Sequence, residues 1–320
     1  MEEVRLAAVV VARDEAPRIE GTLAALGPAL APWPGAGRLV VDCGSGDPTA
    51  ELAAARGWPV ARLDPAGAVT AAAGRELARG RLDADFLLYV DGDVRVDAGF
   101  PAAAVALLQG DRGLFGVGGE LRFDEGRGEP PAPPPSGPRP VPLLAALAVY
   151  RAAAVEAVGG FVPWLESEED ADLGLRLRRA GGRLVRIGPG GVHRSGPRGG
   201  LDETFRRYRA GLYFGQGRVV RLRWGGPLAA ATLARQWLYL AVILLWLGAA
   251  AGVWVWPPAA ALPLLLVLAG AAVAARKGSA RAAAVSLVTW HVMAWGLLVG
   301  LARKPRAREA RLKAGPEASR

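Results

Sequence analysis

"FLLYVDGDVRVD", residues 86–97, runs an apolar segment straight into Asp91, Gly92 and Asp93, with Asp97 close behind. A short apolar run ended by turn residues is the pattern of a strand buried on both faces. Its carboxylates therefore emerge where the strand stops. The sequence before it repeats the pattern: "LAAVVVA" (6–12), "RLVVD" (38–42) and "PVARLD" (59–64) read as strands, and residues 17–26, 49–56 and 70–79 as short helices. This alternation predicts an α/β fold, a mostly parallel sheet covered by helices on both faces. Ligands of such sheets bind outside the carboxyl ends of the strands, where Asp14, Asp42 and Asp91 fall.

Asp91 and Asp93 bracket Gly92, so both carboxylates can turn toward one point while the glycine lets a ligand come close. Clustered carboxylates repel one another unless a cation or hydrogen-bond donors compensate. A hard divalent ion, Mg²⁺ or Mn²⁺, held by carboxylates and by substrate phosphate oxygens, meets that need. Taken alone, an Asp-Gly-Asp is as well read as a solvated turn.

It is not alone. "VVVARDEAPRIEGTLAAL" (9–26), "VVDCGSGDPT" (40–49), "LLYVDGDV" (87–94) and "VGGFVPWLESEEDADLGLRLRRAGGRLV" (158–185) follow in order. Together they resemble the family 2 glycosyltransferases over about residues 4–215. The resemblance implies the nucleotide-sugar-binding GT-A fold, Rossmann-like with a mostly parallel sheet. It places the donor against Ala12, Arg13, Glu15, Asp42, Asp91 and Gly92, with Asp93 as metal ligand and Asp91 meeting the ribose or completing the metal shell through water. It makes Asp170, the first Asp of Glu-Asp-x-Asp-Leu, the base that takes the acceptor proton, with Gly160, Phe161, Glu169 and Asp172 on the acceptor side. The plainer reading of Glu168, Glu169 and Asp172 is a set of capping or solvated acids at the positive end of a helix. His193 resembles the family's trailing His and joins the metal set, although a lone His is more often packed or exposed.

Arg206 and Arg207 offer planar guanidinium forks to a diphosphate, or else form, with Arg209, a basic collar at a membrane surface. Departures from the family are also visible. Cys43 stands where many relatives carry an Asp, and Arg75 in "TAAAGRELARG" is out of step with their Arg-Asn-x-Gly, though it is kept as a donor contact. Cys43 reads as a small buried thiol. Gln-x-x-Arg-Trp, the mark of processive members, is missing, so single-sugar addition is expected.

The formal net charge is +9 in 320 residues, but the basic residues crowd after His193 and toward the C-terminal end, beside apolar runs. That placement fits anionic headgroups, and no nucleic-acid motif accompanies it. Residues 237–256, 259–275 and 282–302 are uncharged. A bilayer span needs about 20 apolar residues, so the first and third qualify and the second is marginal. Positive-inside placement of "RKGSAR" (276–281) suits a hairpin, whereas a third crossing would put "RKPRAREARLK" outside. His291 lies within the last apolar run. Residues 124–142, rich in Pro and Gly, read as a loop. A single cysteine excludes an internal disulfide, and an N-terminus unlike a signal peptide suits a cytoplasmic first domain.

The expected layout is a GT-A domain over 1–215, a basic juxtamembrane segment over 216–236, two to three transmembrane helices over 237–302 and a basic tail over 303–320. It describes a multi-pass protein of the cell membrane. The expected function is inverting, metal-assisted transfer from a nucleotide-sugar donor to a lipid-linked or amphiphilic acceptor, with a weaker likeness to the succinoglycan-type branch of exopolysaccharide synthesis. The rivals are a degenerate, membrane-anchored nucleotide-sugar-binding scaffold and a nucleotidyltransferase. The second needs a Gly-rich basic loop after the first strand, which "ARDEAPR" does not supply.

Overall fold

The computed structural model describes residues 4–124, 130–131, 133–194, 200–303 and 311. The chain divides into two compact units, one comprising Met1–Leu165 and Glu169–Pro197, the other Glu166–Glu168 and Arg198–Pro305.

In the first unit the described strands are β1 (Leu6–Ala12), β2 (Gly37–Asp42), β3 (Val60–Arg62), β4 (Phe86–Asp91), β5 (Val94–Val96), β6 (Leu114–Phe123), β7 (Ser136–Pro140), β8 (Leu147–Arg151) and β9 (Arg183–His193). They form a single sheet in the order β3-β2-β1-β4-β8-β6-β9-β5, with β7 paired to β9. The first four are parallel, as the alternating pattern requires, while β8 enters antiparallel between β4 and β6. The helices are α1 (Ile19–Ala29), α2 (Thr49–Ala55), α3 (Ala71–Arg79), α4 (Phe100–Gly110), α5 (Ala152–Ala157) and α6 (Glu169–Arg179).

The near-continuous apolar strands follow from two cores. Alternate residues of a strand point to opposite faces. Ala8, Val10 and Leu88 pack with Ile19, Leu26 and Phe100 on one face, and Val9, Leu87 and Tyr89 with Ala72, Leu173 and Leu177 on the other. Register then aligns the strand ends: Val11 lies opposite Asp91, and Ala12 opposite Asp42. The carboxyl ends of β2, β1 and β4 thus deliver Asp42, Ala12 and Asp91 to one edge of the sheet.

The Pro-rich segment is not wholly a loop. Ser136–Pro140 pairs antiparallel with β9, as an edge strand where proline's missing N–H costs no ladder bond. Residues 125–129 and 132 of the same segment lie outside the described residues.

The second unit is helical: α7 (Leu201–Arg209), α8 (Gly215–Leu222), α9 (Pro227–Arg235), α10 (Trp237–Gly252), α11 (Leu264–Lys277) and α12 (Ala280–Ala302). Two of its helical stretches, Pro257–Arg276 and Ala280–Ala302, are long and apolar enough to cross a membrane. The expected first span differs. α10 has 16 residues, a rise of about 24 Å against a hydrocarbon core of about 30 Å. It reaches span length only together with α9, from which it is bent by 80°. The stretch that looked marginal in sequence gains its length from Pro257–Ala261, which continues as a 3₁₀ turn into α11. Of the basic tail, 304–310 and 312–320 lie outside the described residues.

Candidate active site

The loops that follow β1 and β2 are clasped together. Asp14 sits at φ 55, its backbone N–H donates to Ser45 Oγ at 2.9 Å, and its carboxylate accepts from Gly46 N–H at 2.7 Å. Glu15 N–H donates to Thr49 Oγ1 at 2.8 Å, and Ala16 N–H to Asp47 at 3.0 Å. Buried Asp42 accepts from Ser45 N–H at 2.9 Å. The Gly-Ser-Gly-Asp-Pro-Thr turn therefore fixes the strand ends on which Ala12, Asp42 and Glu15 are mounted. Arg13 beside them is exposed.

Gly92 has a different use from the one its place suggested. A Cβ there would lie 2.8 Å from Ala12 Cβ and 3.1 Å from Glu15 Cγ, so the missing side chain lets the β4–β5 turn pack on the end of β1. Gly92 N–H donates to Val11 O at 2.8 Å and its carbonyl accepts from Thr22 Oγ1 at 2.8 Å. The turn aims Asp93 at His193, which pairing in β9 holds opposite Val94, with Asp93 Oδ2 3.4 Å from His193 Nδ1. Glu15 joins this group. Burial, then the charge of Asp93, pushes its carboxyl up to about 7, opposed by Arg18 at 2.9 Å.

Arg75 is the hub of the site. α3, N-capped by Thr70 Oγ1 accepting from Ala73 N–H at 2.9 Å, carries a guanidinium only 4% exposed. One nitrogen lies 2.7 Å from Asp91; the other lies 2.7 Å from Glu169 and 3.4 Å from Asp170. The fork also stacks over Phe161, 5.6 Å from the ring centroid. One cation thus ties the end of β4 to the first turn of α6. It does not neutralise three carboxylates. Burial above all, then Glu169 and Asp91, pushes the Asp170 carboxyl up to about 8 against the pull of Arg75. Burial raises Asp91 as well, again opposed by Arg75. A small cavity bounded by Arg75, Tyr89, Leu144, Tyr150, Phe161 and Asp170 adjoins these groups.

The turn before α6 is held by residues the sequence did not single out. Glu76, next to Arg75, accepts from Phe161 N–H at 2.8 Å. Gly160 is at φ +66, and a Cβ on it would collide with that carboxylate. Asp172, 1% exposed, pairs with Arg176 at 2.8 Å, and Arg176 donates to Val158 O at 2.7 Å. Asp172 thus supports the Gly159–Gly160 turn. An Arg-Glu pair on one helix was the available signal for Glu76, but its partner lies 85 residues away. Cys43 is buried against Gly74, its thiol pushed up to about 12 by burial. Arg206 and Arg207 lie on α7 of the other unit, within reach of Glu203 at 3.9 and 3.2 Å.

Among the described residues no three His, Cys, Asp or Glu side chains are grouped to hold a metal ion. Asp93 with His193 offers a carboxylate and an imidazole. That donor pair fits a hard cation that keeps several waters and takes further oxygens from a phosphate.

Residues 136–274 match the family described as Glycosyl transferase family group 2. No curated protein matches the sequence. Among solved structures, the mannosyltransferase PcManGT from Pyrobaculum calidifontis, in complex with GDP-Man and Mn²⁺, is similar at 19% identity and TM-score 0.56 over 94% of this chain and 86% of that one. TarS of S. aureus, in complex with UDP-GlcNAc, is similar at 16% identity and TM-score 0.53 over 71% of this chain and 69% of that one. The sheet and its helices have the GT-A fold of these glycosyltransferases.

Proposed function

We propose that this chain, with a family 2 glycosyltransferase domain and the GT-A fold, moves one sugar at a time, with inversion, from a nucleotide-sugar donor to a lipid-linked or otherwise amphiphilic acceptor at a membrane. The observation that carries the reading is the Arg75 hub. It joins Asp91, at the strand end where a donor binds, to Asp170 at the start of α6. In the transfer, the acceptor oxygen forms the new bond to the anomeric carbon. The nucleoside diphosphate leaves with the electron pair of the old one, and the acceptor proton passes to Asp170. A base for a hydroxyl works best with a pKa near the working pH, and burial moves Asp170 toward that range, up to about 8.

Asp42, Ala12 and Glu15 line the donor side, and Asp93 with His193 is the pair that would hold Mg²⁺ or Mn²⁺. Bound there, the cation supplies Lewis-acid neutralisation of the diphosphate. Two helices of span length and the basic residues flanking them support membrane attachment, which raises the local concentration of an amphiphilic acceptor. GDP-Man and UDP-GlcNAc, bound by the similar structures, head the panel of donors to test.

The test is nucleotide release by the full chain in nanodiscs, with UDP- and GDP-sugars, Mn²⁺ and lipid extract, beside Asp93→Ala and Asp170→Asn. Release with one donor, lost in both variants, is the expected result. Donor binding without release under any condition overturns the enzyme reading in favour of a nucleotide-sugar-binding scaffold.

A further inference from the structure

Within the helical unit α12 is a middle layer. Thr289 shares a hydrogen bond with Thr204 of α7 at 2.9 Å, and Trp295 Nε1 donates to Tyr208 Oη at 3.0 Å. A Cβ on Gly296 would lie 2.7 Å from Tyr213 O, and one on Gly300 would collide with Phe214 O. The chain from α7 into α8 therefore rides on the α12 backbone. Arg221 of α8 donates to Leu301 O at 2.6 Å and to Ala302 O at 3.1 Å, the last carbonyls of the helix. Other side chains of α12 meet the apolar helices. His291 accepts from Trp246 of α10 at 3.1 Å, Leu287 packs over Gly270 of α11, and Ala294 joins Val242 and Leu266 in a small core. At about 100° per residue, Thr289, Gly296 and Gly300 fall on one face of α12, and Leu287, His291 and Ala294 on the opposite one.

The two outer layers differ in chemistry. α7 exposes Asp202, Arg206, Arg207 and Arg209. α10, α11 and the turn between them expose Leu244, Leu247, Leu264 and Leu268, with Trp254 and Val255 each 89% exposed. No Asp or Glu stands between Glu203 and Glu309. The rim of the apolar layer thus carries cations alone, Arg235 before α10 and Arg276 and Arg281 at the α11–α12 turn. An apolar face rimmed only by cations complements a leaflet with anionic headgroups, whereas a second copy would oppose it with like charge.

Pro257–Arg276 and Ala280–Ala302 have the length of spans, but the layers limit how they can lie. α12 begins at Ala280, so Thr289 stands about 13 Å along its axis. The charged helix α7 and the cations of the α11–α12 turn are separated by that distance, where a crossing needs about 30 Å of hydrocarbon. Upright in a bilayer, α12 would draw the charges of α7 into the apolar core, where they are costly. We infer that the helical unit is monotopic: α12 does not cross, and the outer face of α10 and α11 lies in the plane of one leaflet. One helix layer is about 10 Å deep, against about 15 Å of hydrocarbon in a leaflet. Arg235, Arg276 and Arg281 reach headgroups from its rim, and α7 faces water. The inference rests on the membrane attachment in the proposed function and sets its mode. Without a crossing after α11, the basic run at 303–313 stays on the same side as 276–281, which removes the conflict that a third span raises.

The test reconstitutes the full chain in vesicles of phosphatidylethanolamine and phosphatidylglycerol and confirms attachment by flotation. Spin labels are then placed one at a time by Leu264→Cys, Leu268→Cys, Ala272→Cys and Ala275→Cys, exposed positions on one face of α11, and by Asp202→Cys on α7. Buried Cys43 stays unlabelled. Collision with oxygen and with a water-soluble nickel chelate reads the depth of each label, without any need for turnover, so the result stands apart from the enzyme reading. The expected result is one common depth within a single leaflet for the four α11 labels, with Asp202→Cys in water. A depth that changes by about 1.5 Å per residue, about 16 Å from first to last, shows a crossing helix and overturns the inference while membrane attachment stands. Dipolar broadening between α11 labels of two chains assigns the face to a second copy and overturns it as well. A chain that does not float with the vesicles fails the attachment itself and takes the inference with it.

Discussion

Arg75→Ala withdraws a buried cation shared by Asp91, Glu169 and Asp170. Leaving a buried charge without its partner costs about 3–5 kcal/mol. Asp91 keeps 31% of its side-chain surface, which places the expected cost at the lower end, about 3 kcal/mol. For a domain of this size about 1 kcal/mol moves the melting temperature by about 2–4 °C, so the variant should melt about 6–12 °C lower. The loss depends on pH, and its sign is fixed. Burial already raises the carboxyls of Asp170 and Asp91, and Arg75 pulls both back down. Without it they hold protons to still higher pH, and the folded chain binds more protons than the unfolded one above the ordinary carboxylate range. Stability then falls as pH rises. The deficit against wild type should be small near the ordinary carboxylate pKa of about 4 and grow as pH climbs past about 8, where Asp170 is ionised even with Arg75 present. Thermal unfolding of wild type, Arg75→Ala and Arg75→Lys in nanodiscs, at mildly acidic and at alkaline pH, reads this directly. A deficit equal at both, or larger on the acid side, refutes the hub as an electrostatic device.

Glu169→Gln removes a charge that raises Asp170, so the acid limb of kcat/KM should move to lower pH; a limb that stays in place or moves up rules out Asp170 as its source. Gly92→Ala pushes a Cβ to 2.8 Å from Ala12 Cβ, on a turn packed against the end of β1, and overpacking of this kind costs about 1–3 kcal/mol. Lowered stability with weakened nucleotide binding is expected, and an unchanged melt contradicts the close packing. For topology, Ser279→Cys puts a thiol in the turn between α11 and α12, while Cys43 stays silent because it is buried and its thiol is pushed up to about 12. Positive-inside placement of residues 276–281 predicts maleimide labelling from the cytoplasmic side alone, and labelling from the opposite side reverses the orientation.

The parallel half of the sheet was legible because burial on both faces writes itself into β1 and β4 as unbroken apolar runs, and because turn residues end them at Asp42 and Asp91. What the sequence concealed was tertiary. Arg75 lies 16 residues from Asp91 and 94 from Glu169, so no local spacing marks it as their shared partner. Gly92 looked like room for a ligand, whereas its neighbours fill that room with Ala12 and Glu15. Composition sees only that residues 237–256 are apolar. It does not see that α10 stops at Gly252, where a Cβ would lie 2.6 Å from Ala259 Cβ as the chain turns toward α11. The Pro-rich segment misled for a related reason, since proline is barred from a central strand but not from an edge.

The placement of Arg75 and Glu76 side by side on α3 explains why one short helix matters to both halves of the proposed reaction. Arg75 reaches down to Asp91, at the end of β4, and across to Glu169 and Asp170. Glu76 holds the Gly160–Phe161 turn, whose ring in turn carries the Arg75 fork. A carboxylate buried without a cation is driven to keep its proton and cannot accept another. A carboxylate fully neutralised by an arginine gives up the proton too readily to be a strong base. One guanidinium divided among three acids lies between these limits, and with Asp170 pushed up to about 8 while Arg75 still pulls it down, the proposed base gains its proton-accepting form as pH rises toward that value.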